Sequence, residues 1–103
     1  MSLGNHNYRK GRAREYRVKK KLLGSGALWV VRSYGSHGLF DLTAVFPDHV
    51  ELIQVKKDRI PKEEMQRLEE FASRIVAPNV HVLLYIRNGF VRLGRNEAPP
   101  LPR

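Results

Sequence analysis

Three observations predict an α/β fold, a mixed β-sheet flanked by helices. A segment with apolar residues at helical spacing opens the chain. Three strand-like segments follow, the last two joined by a tight turn. A second helical run then separates the third strand from a nearly continuous apolar segment, VHVLLYI. A strand–helix–strand connection of this kind sets its two strands parallel, with a right-handed crossover. The predicted element order is αβββαββ.

Residues 7–23 form the first helix, closed by the turn Gly24-Ser25-Gly26. Its inward stripe is Gly11, Glu15, Val18 and Leu22, at spacings of four, three and four. Residues 27–32 (ALWVVR) make the first strand, with Trp29 expected in the core. Residues 33–38 (SYGSHG) form a mobile polar loop in which Tyr34 is placed to stack on a base or sugar. Residues 39–46 and 50–57 pair as an antiparallel hairpin about Pro47-Asp48-His49.

Pro61 sits at the first turn of the second helix, whose apolar positions are Met65, Leu68, Phe71, Ala72, Ile75 and Val76. Pro78-Asn79 ends it. Residues 80–86 read as a strand buried on both faces. A turn at Arg87-Asn88-Gly89 leads into a last strand, 90–93. The chain is thus read as one domain over residues 7–93. Residues 1–6 are read as a disordered N-terminus or an expression remnant, and residues 94–103 as a disordered tail with three prolines.

At 103 residues the chain has room for one core and not two. It has no cysteine, which excludes disulfides and thiolate zinc sites and suits a reducing, cytoplasmic setting. No apolar run approaches the roughly 20 residues that cross a membrane. Nineteen Lys+Arg against ten Asp+Glu leave a formal charge of +9. Eight of the thirteen residues from Arg9 to Lys21 are basic, so the first helix is expected to face a polyanion, of which nucleic acid is the commonest. Membrane-surface binding is disfavoured because this helix has no broad apolar face. Arg9, Lys10, Arg12, Arg14 and Lys57 are therefore candidate phosphate contacts, with His37 in the loop beside them.

Polar residues interrupt both strands of the hairpin. Leu52, Gln54 and Lys56 share one face of their strand, and Asp41, Thr43 and Val45 share one face of theirs. Pairing about the turn brings Asp41 to the level of Gln54 and Lys56. The first helix adds Glu15. A buried salt bridge such as Asp41 with Lys56 accounts for any two of these groups. All four together point to divalent-metal phosphodiester chemistry. In that chemistry oxygen ligands hold Mg²⁺, and a lysine orients water and offsets transition-state charge. Pro47-Asp48 fits the turn, with Asp48 solvated. Glu51 falls on the strand face opposite Gln54.

The spacing Asp41 … Gln54-Val55-Lys56 resembles the signature of the PD-(D/E)xK nuclease superfamily. The upstream pattern Gly11-x-x-x-Glu15, Val18, Leu22, then Val30-Val31-Arg32-Ser33-x-Gly35-Ser36, is similar to the start of archaeal-type Holliday junction resolvases. The resemblance covers about residues 7–86. It implies a restriction-endonuclease-like core and a metal-dependent DNA endonuclease cutting four-way junctions as a homodimer, cytoplasmic and nucleoid-associated. It implies Glu15, Asp41, Gln54 and the Val55 carbonyl as ligands of Mg²⁺, with Mn²⁺ as substitute, and Lys56 as catalytic lysine. It also implies DNA contacts from Arg32, Ser36 and the basic helix. Two positions depart from the pattern. Phe40 replaces the name-giving proline, and Gln54 replaces the second acidic ligand, leaving two carboxylates where the family has three. Two other readings of the same surface are a non-catalytic nucleic-acid-binding module and a nuclease for other branched or damaged DNA.

His6, His37, His49 and His81 lie in different segments with no close pair at ligand spacing, so no zinc site is expected. His81 is read as packing or hydrogen-bonding locally.

Overall fold

The computed structural model describes residues 3–33 and 38–94, with side chains from Lys10 onward. Tyr34, Ser36, His37 and the Pro-rich segment 95–103 lie outside the described residues, as do the side chains of His6 and Arg9. Two helices and five strands follow one another as α1 (Leu3–Gly24), β1 (Trp29–Arg32), β2 (Leu42–Val45), β3 (Val50–Val55), α2 (Lys62–Ser73), β4 (Val80–Ile86) and β5 (Gly89–Leu93). The strands form one mixed sheet in the order β1-β2-β3-β4-β5. Only the β3–β4 pair is parallel, as the intervening helix requires; the other pairs are antiparallel.

Alternation along the strands sorts the core into two layers. Val30, Leu42, Ala44, Ile53, Val55, Leu83 and Tyr85 face α1, which packs Val18 and Leu22 onto them. Val82, Leu84 and Leu93 face α2, which covers them with Leu68 and Ala72. Leu22, Ile53 and Leu83 are wholly buried, and each such burial is worth roughly 1.5–3 kcal/mol. The two helices therefore lie on opposite faces of the sheet. Among the described residues no helix is long and apolar enough to cross a membrane.

Several expectations need correction. The first helix starts at Leu3, inside the segment read as disordered, since no proline intervenes before residue 7. Its end is as the sequence indicates: Ala27 N–H returns to the Leu22 carbonyl at 3.0 Å while Gly26 takes φ 110°, a value that favours glycine. Trp29 is 64 % exposed and not in the core. Alternation buries Val30 against α1, so Trp29 points to the other face, where α2 covers only β4 and β5. α2 stops at Ser73, short of Ile75 and Val76, and Pro78 keeps the helix from continuing through Ala77. Val76 is consequently exposed.

β2 is also shorter than the expected 39–46. Leu39 and Phe40 leave the sheet to pack beside the α2 layer, where Phe40 meets Phe71 edge to face at 5.1 Å. Gly94, where the tail was expected to begin, runs against α2. An added Cβ there would stand 2.7 Å from the Ala72 Cβ, so the position demands glycine.

Candidate active site

The sheet opens at the start of β2, beside the carboxyl end of β3. The ladder register is Leu42 with Ile53, so Asp41 comes level with Gln54 one step on. There the backbone pairing gives way to a side chain: the Val55 N–H donates to Asp41 Oδ2 at 2.8 Å. A carboxylate is thus fixed at the carboxyl end of β3 by a strand amide. Burial pushes the Asp41 carboxyl above its ordinary range. Against that the Val55 amide favours the anion, Glu15 adds to the upward push, and Lys56 and Arg32 oppose it. Glu15, Asp41, Lys56 and Arg32 therefore share one electrostatic neighbourhood.

Their pairing is specific. Glu15 Oε1 accepts from Arg32 Nε at 2.6 Å, with both side chains largely shielded. Arg32, expected on DNA, is instead turned inward onto the α1 carboxylate, because its register partner Leu42 belongs to the α1 face. Lys56 Nζ lies 2.6 Å from Glu64 Oε2 of α2. Nothing in the sequence reading singled out Glu64; its place in the first turn of α2, above the end of β3, is the signal that could have. Gln54 is half-buried. By alternation it faces the α2 side, opposite to the Ile53–Val55 face that α1 covers, so Glu15 and Gln54 do not converge on one face as expected.

Beside Lys56 a cleft of about 350 Å³ opens at the carboxyl ends of the parallel strands β3 and β4, the usual place for ligand crevices in such sheets. Arg14, Arg17, Lys56, Lys57 and Arg87 line it, with Asp58 the one acid. Five cations to one anion among the described lining residues give this cleft a positive potential. Lys10 and Arg12 are exposed farther along α1. Arg17 and Arg87 were missed by the sequence reading. Arg87 occupies the left-handed region at φ 52°, and Asn88 follows at φ 63°. With Ile86 and Gly89 paired across them, they form a two-residue hairpin turn of the kind that favours Asn-Gly. Arg87 N–H donates to the Lys57 carbonyl at 2.8 Å and its Nε to the Asp58 carbonyl at 3.2 Å, which ties the turn to the rim of the cleft.

At the opposite end of β3 the fold assembles a group that could hold a metal ion: His49, Glu51 and His81. Glu51 and His81 are register partners across the parallel pair, and His49 stands two residues before Glu51. Separation in the chain hid this arrangement. Local bonding of His81 is as expected: its Nε2 lies 3.2 Å from the Pro78 carbonyl. Burial holds its imidazolium form down, and Arg92 adds to that. Asp48 is solvated, as the turn reading required, and its hydrogen bond from His49 holds its carboxyl below the usual range.

Compared with known proteins, the chain matches no family model and no curated protein sequence.

Proposed function

We propose that this chain is a metal-dependent DNA endonuclease with a restriction-endonuclease-like core, acting on branched DNA and foremost on four-way junctions as a homodimer. The observation that carries the reading is Asp41. Its carboxylate is fixed by the Val55 amide at the open end of the sheet, beside Glu15 and Lys56, and next to a cleft lined by five cations. A carboxyl pushed up by burial and by a second carboxylate is one whose anion a bound cation would stabilise, and the donors at hand are oxygens. That set suits Mg²⁺ or Mn²⁺. Asp41, the Val55 carbonyl and the Gln54 amide oxygen would hold the ion from the end of the sheet; Glu15, on the opposite face, would act on it through its charge and not as a ligand. When bound, such an ion polarises the scissile phosphate and activates water.

The protein's own residues supply the rest. Arg14, Arg17, Lys57 and Arg87 seat the phosphates flanking the scissile bond. Lys56 orients the attacking water and offsets developing negative charge. Glu64 positions Lys56, and Arg32 positions Glu15. The backbone amide of Val55 keeps the Asp41 carboxylate aimed outward from the strand end. Cleavage of a four-way junction and a linear duplex, each with and without Mg²⁺, tests the reading; no metal-dependent cut in either substrate refutes it.

Specific observations favour a second reading, a DNA-binding relative without cleavage. Glu15 is already paired with Arg32 and Lys56 with Glu64, and Gln54 carries no charge. Junction binding that persists with no cleavage at any Mg²⁺ or Mn²⁺ concentration selects it.

A further inference from the structure

Glu51 is wholly buried in a strand whose neighbouring inward positions are Ile53 and Val55. A carboxylate in such a place requires compensation. Its Oε2 lies 2.9 Å from His49 Nε2. The His49 ring is stacked between Phe46, at 4.4 Å, and His81, at 4.6 Å.

Outer partners fix which nitrogen of each ring is available. His49 Nδ1 lies 2.7 Å from Asp48 Oδ1, and an ionised carboxylate only accepts, so Nδ1 carries a hydrogen. His81 Nε2 faces the Pro78 carbonyl, which also only accepts, so Nε2 carries the hydrogen there. The remaining nitrogen of His81, Nδ1, is a buried lone pair with no hydrogen-bond partner among the described residues. A metal-ligating histidine typically shows this arrangement, one nitrogen hydrogen-bonded outward to a carboxylate or carbonyl and the other bare.

We propose that His49 Nε2, Glu51 Oε2 and His81 Nδ1 bind a zinc ion, with water as fourth ligand. One ligand atom from each residue lies within 4.8 Å of the others. Tetrahedral zinc with bonds near 2.0–2.1 Å separates its ligands by roughly 3.4 Å, so no pair has to close by more than about 1.4 Å. The His49 and His81 rings stack with centroids 4.6 Å and planes 25° apart, so a tilt of the His81 ring is needed to turn its Nδ1 onto a shared ion. His49 Nε2 and Glu51 Oε2 can face each other at hydrogen-bond distance only with a proton between them, and the metal displaces that proton. Two imidazoles and one carboxylate select zinc over magnesium. Arg92 of β5 faces the cluster with like charge and weakens the site. Access is from the turn, where Asp48 is 86 % exposed and His49 keeps 17 % of its side chain in solvent.

The site ties the β2–β3 turn to the start of β4. It stands four residues from Val55, roughly 13 Å along the strand, away from the Asp41 neighbourhood. The experiment uses the full chain stripped with a chelator. Zinc chloride is then titrated by calorimetry and by thermal melting, with magnesium chloride as comparison. The expected result is one zinc per chain and, at a hundredfold excess over Kd, a Tm rise of roughly 10 °C or more; magnesium gives neither. His81→Phe and the near-isosteric Glu51→Gln lose zinc binding, and Asp41→Asn keeps it. No zinc uptake by the parent chain overturns the proposal, as does a full zinc-dependent Tm rise in either His81→Phe or Glu51→Gln.

Discussion

Replacing Arg87 by asparagine should make the protein more stable and a weaker DNA binder. An arginine at φ 52° occupies a region that costs ordinary residues roughly 1–2 kcal/mol and asparagine much less. Against that gain stands the loss of the exposed bond from Arg87 Nε to the Asp58 carbonyl, long at 3.2 Å and in solvent, worth about 0.5 kcal/mol or less. The net expectation is a gain of about 0.5–1 kcal/mol, seen as a Tm rise of roughly 2–8 °C for a domain of this size. The same change removes one of five cations from the cleft. If that cation touches a phosphate, the slope of log K against log salt falls by about 0.9. At 0.1 M salt this lowers affinity about eightfold. Melting curves read the first effect, and fluorescence anisotropy over a salt series reads the second. An unchanged slope would place the DNA path elsewhere, and a lower Tm would show that the Asp58 contact outweighs the strain.

The other predictions concern the site and its surroundings. Asp41→Asn should abolish metal-dependent cleavage while binding DNA as well or better, and should not destabilise the fold, because Lys56 keeps Glu64 as its partner. Since the Asp41 carboxyl is pushed up in the folded state, its favourable contribution is complete below the ordinary carboxylate range and is lost as pH rises through the folded value. The Tm of Asp41→Asn relative to the parent should thus improve from pH 3 to pH 7; a constant difference refutes the burial argument. Gln54→Glu should lower the Mg²⁺ concentration that gives half-maximal cleavage, and an unchanged metal dependence removes Gln54 from the ligand set. Arg12→Ala with Arg14→Ala should weaken binding to all DNA forms alike and flatten the salt slope. Light scattering with junction DNA present should report a dimer, and a monomer at micromolar concentration would count decisively against the proposed assembly.

Much of the fold was legible because it rests on period. β4 announced itself by seven consecutive residues of which six are apolar, and the helical run before it required the parallel β3–β4 pair. Two failures come from which strands and faces the helices cover. Trp29 was assigned to the core because a strand tryptophan is usually covered, yet α2 covers β4 and β5 and leaves the same face of β1 open. Gln54 and Glu15 were placed on one face because the first helix was assumed to cover the polar side of β3, whereas it covers Ile53 and Val55. The histidine–glutamate group was invisible to spacing arguments, since Glu51 and His81 are adjacent only through the crossover. One signal was available: alternation puts Glu51 on the same side as Ile53 and Val55, and a carboxylate among inward aliphatic residues requires a partner.

The polar residues of β3 therefore divide between its two ends, and their charges explain why Gln54 matters most. Around Asp41 stand three carboxylates, Glu15, Asp41 and Glu64, and two cations, Arg32 and Lys56, a balance of −1 with every group ionised. A divalent cation brings that to +1, and a phosphate from the adjacent cleft restores balance. A glutamate at 54 would hold the metal more strongly but would also repel the substrate phosphate when no metal is bound. Under the proposed function, glutamine would trade metal affinity for a site that tolerates DNA without metal. The nuclease reading then requires a metal concentration at which Asp41 gains its counter-ion, whereas the binding-only reading has none. Gln54→Glu changes that quantity without altering the basic cleft, so it separates loss of chemistry from loss of binding.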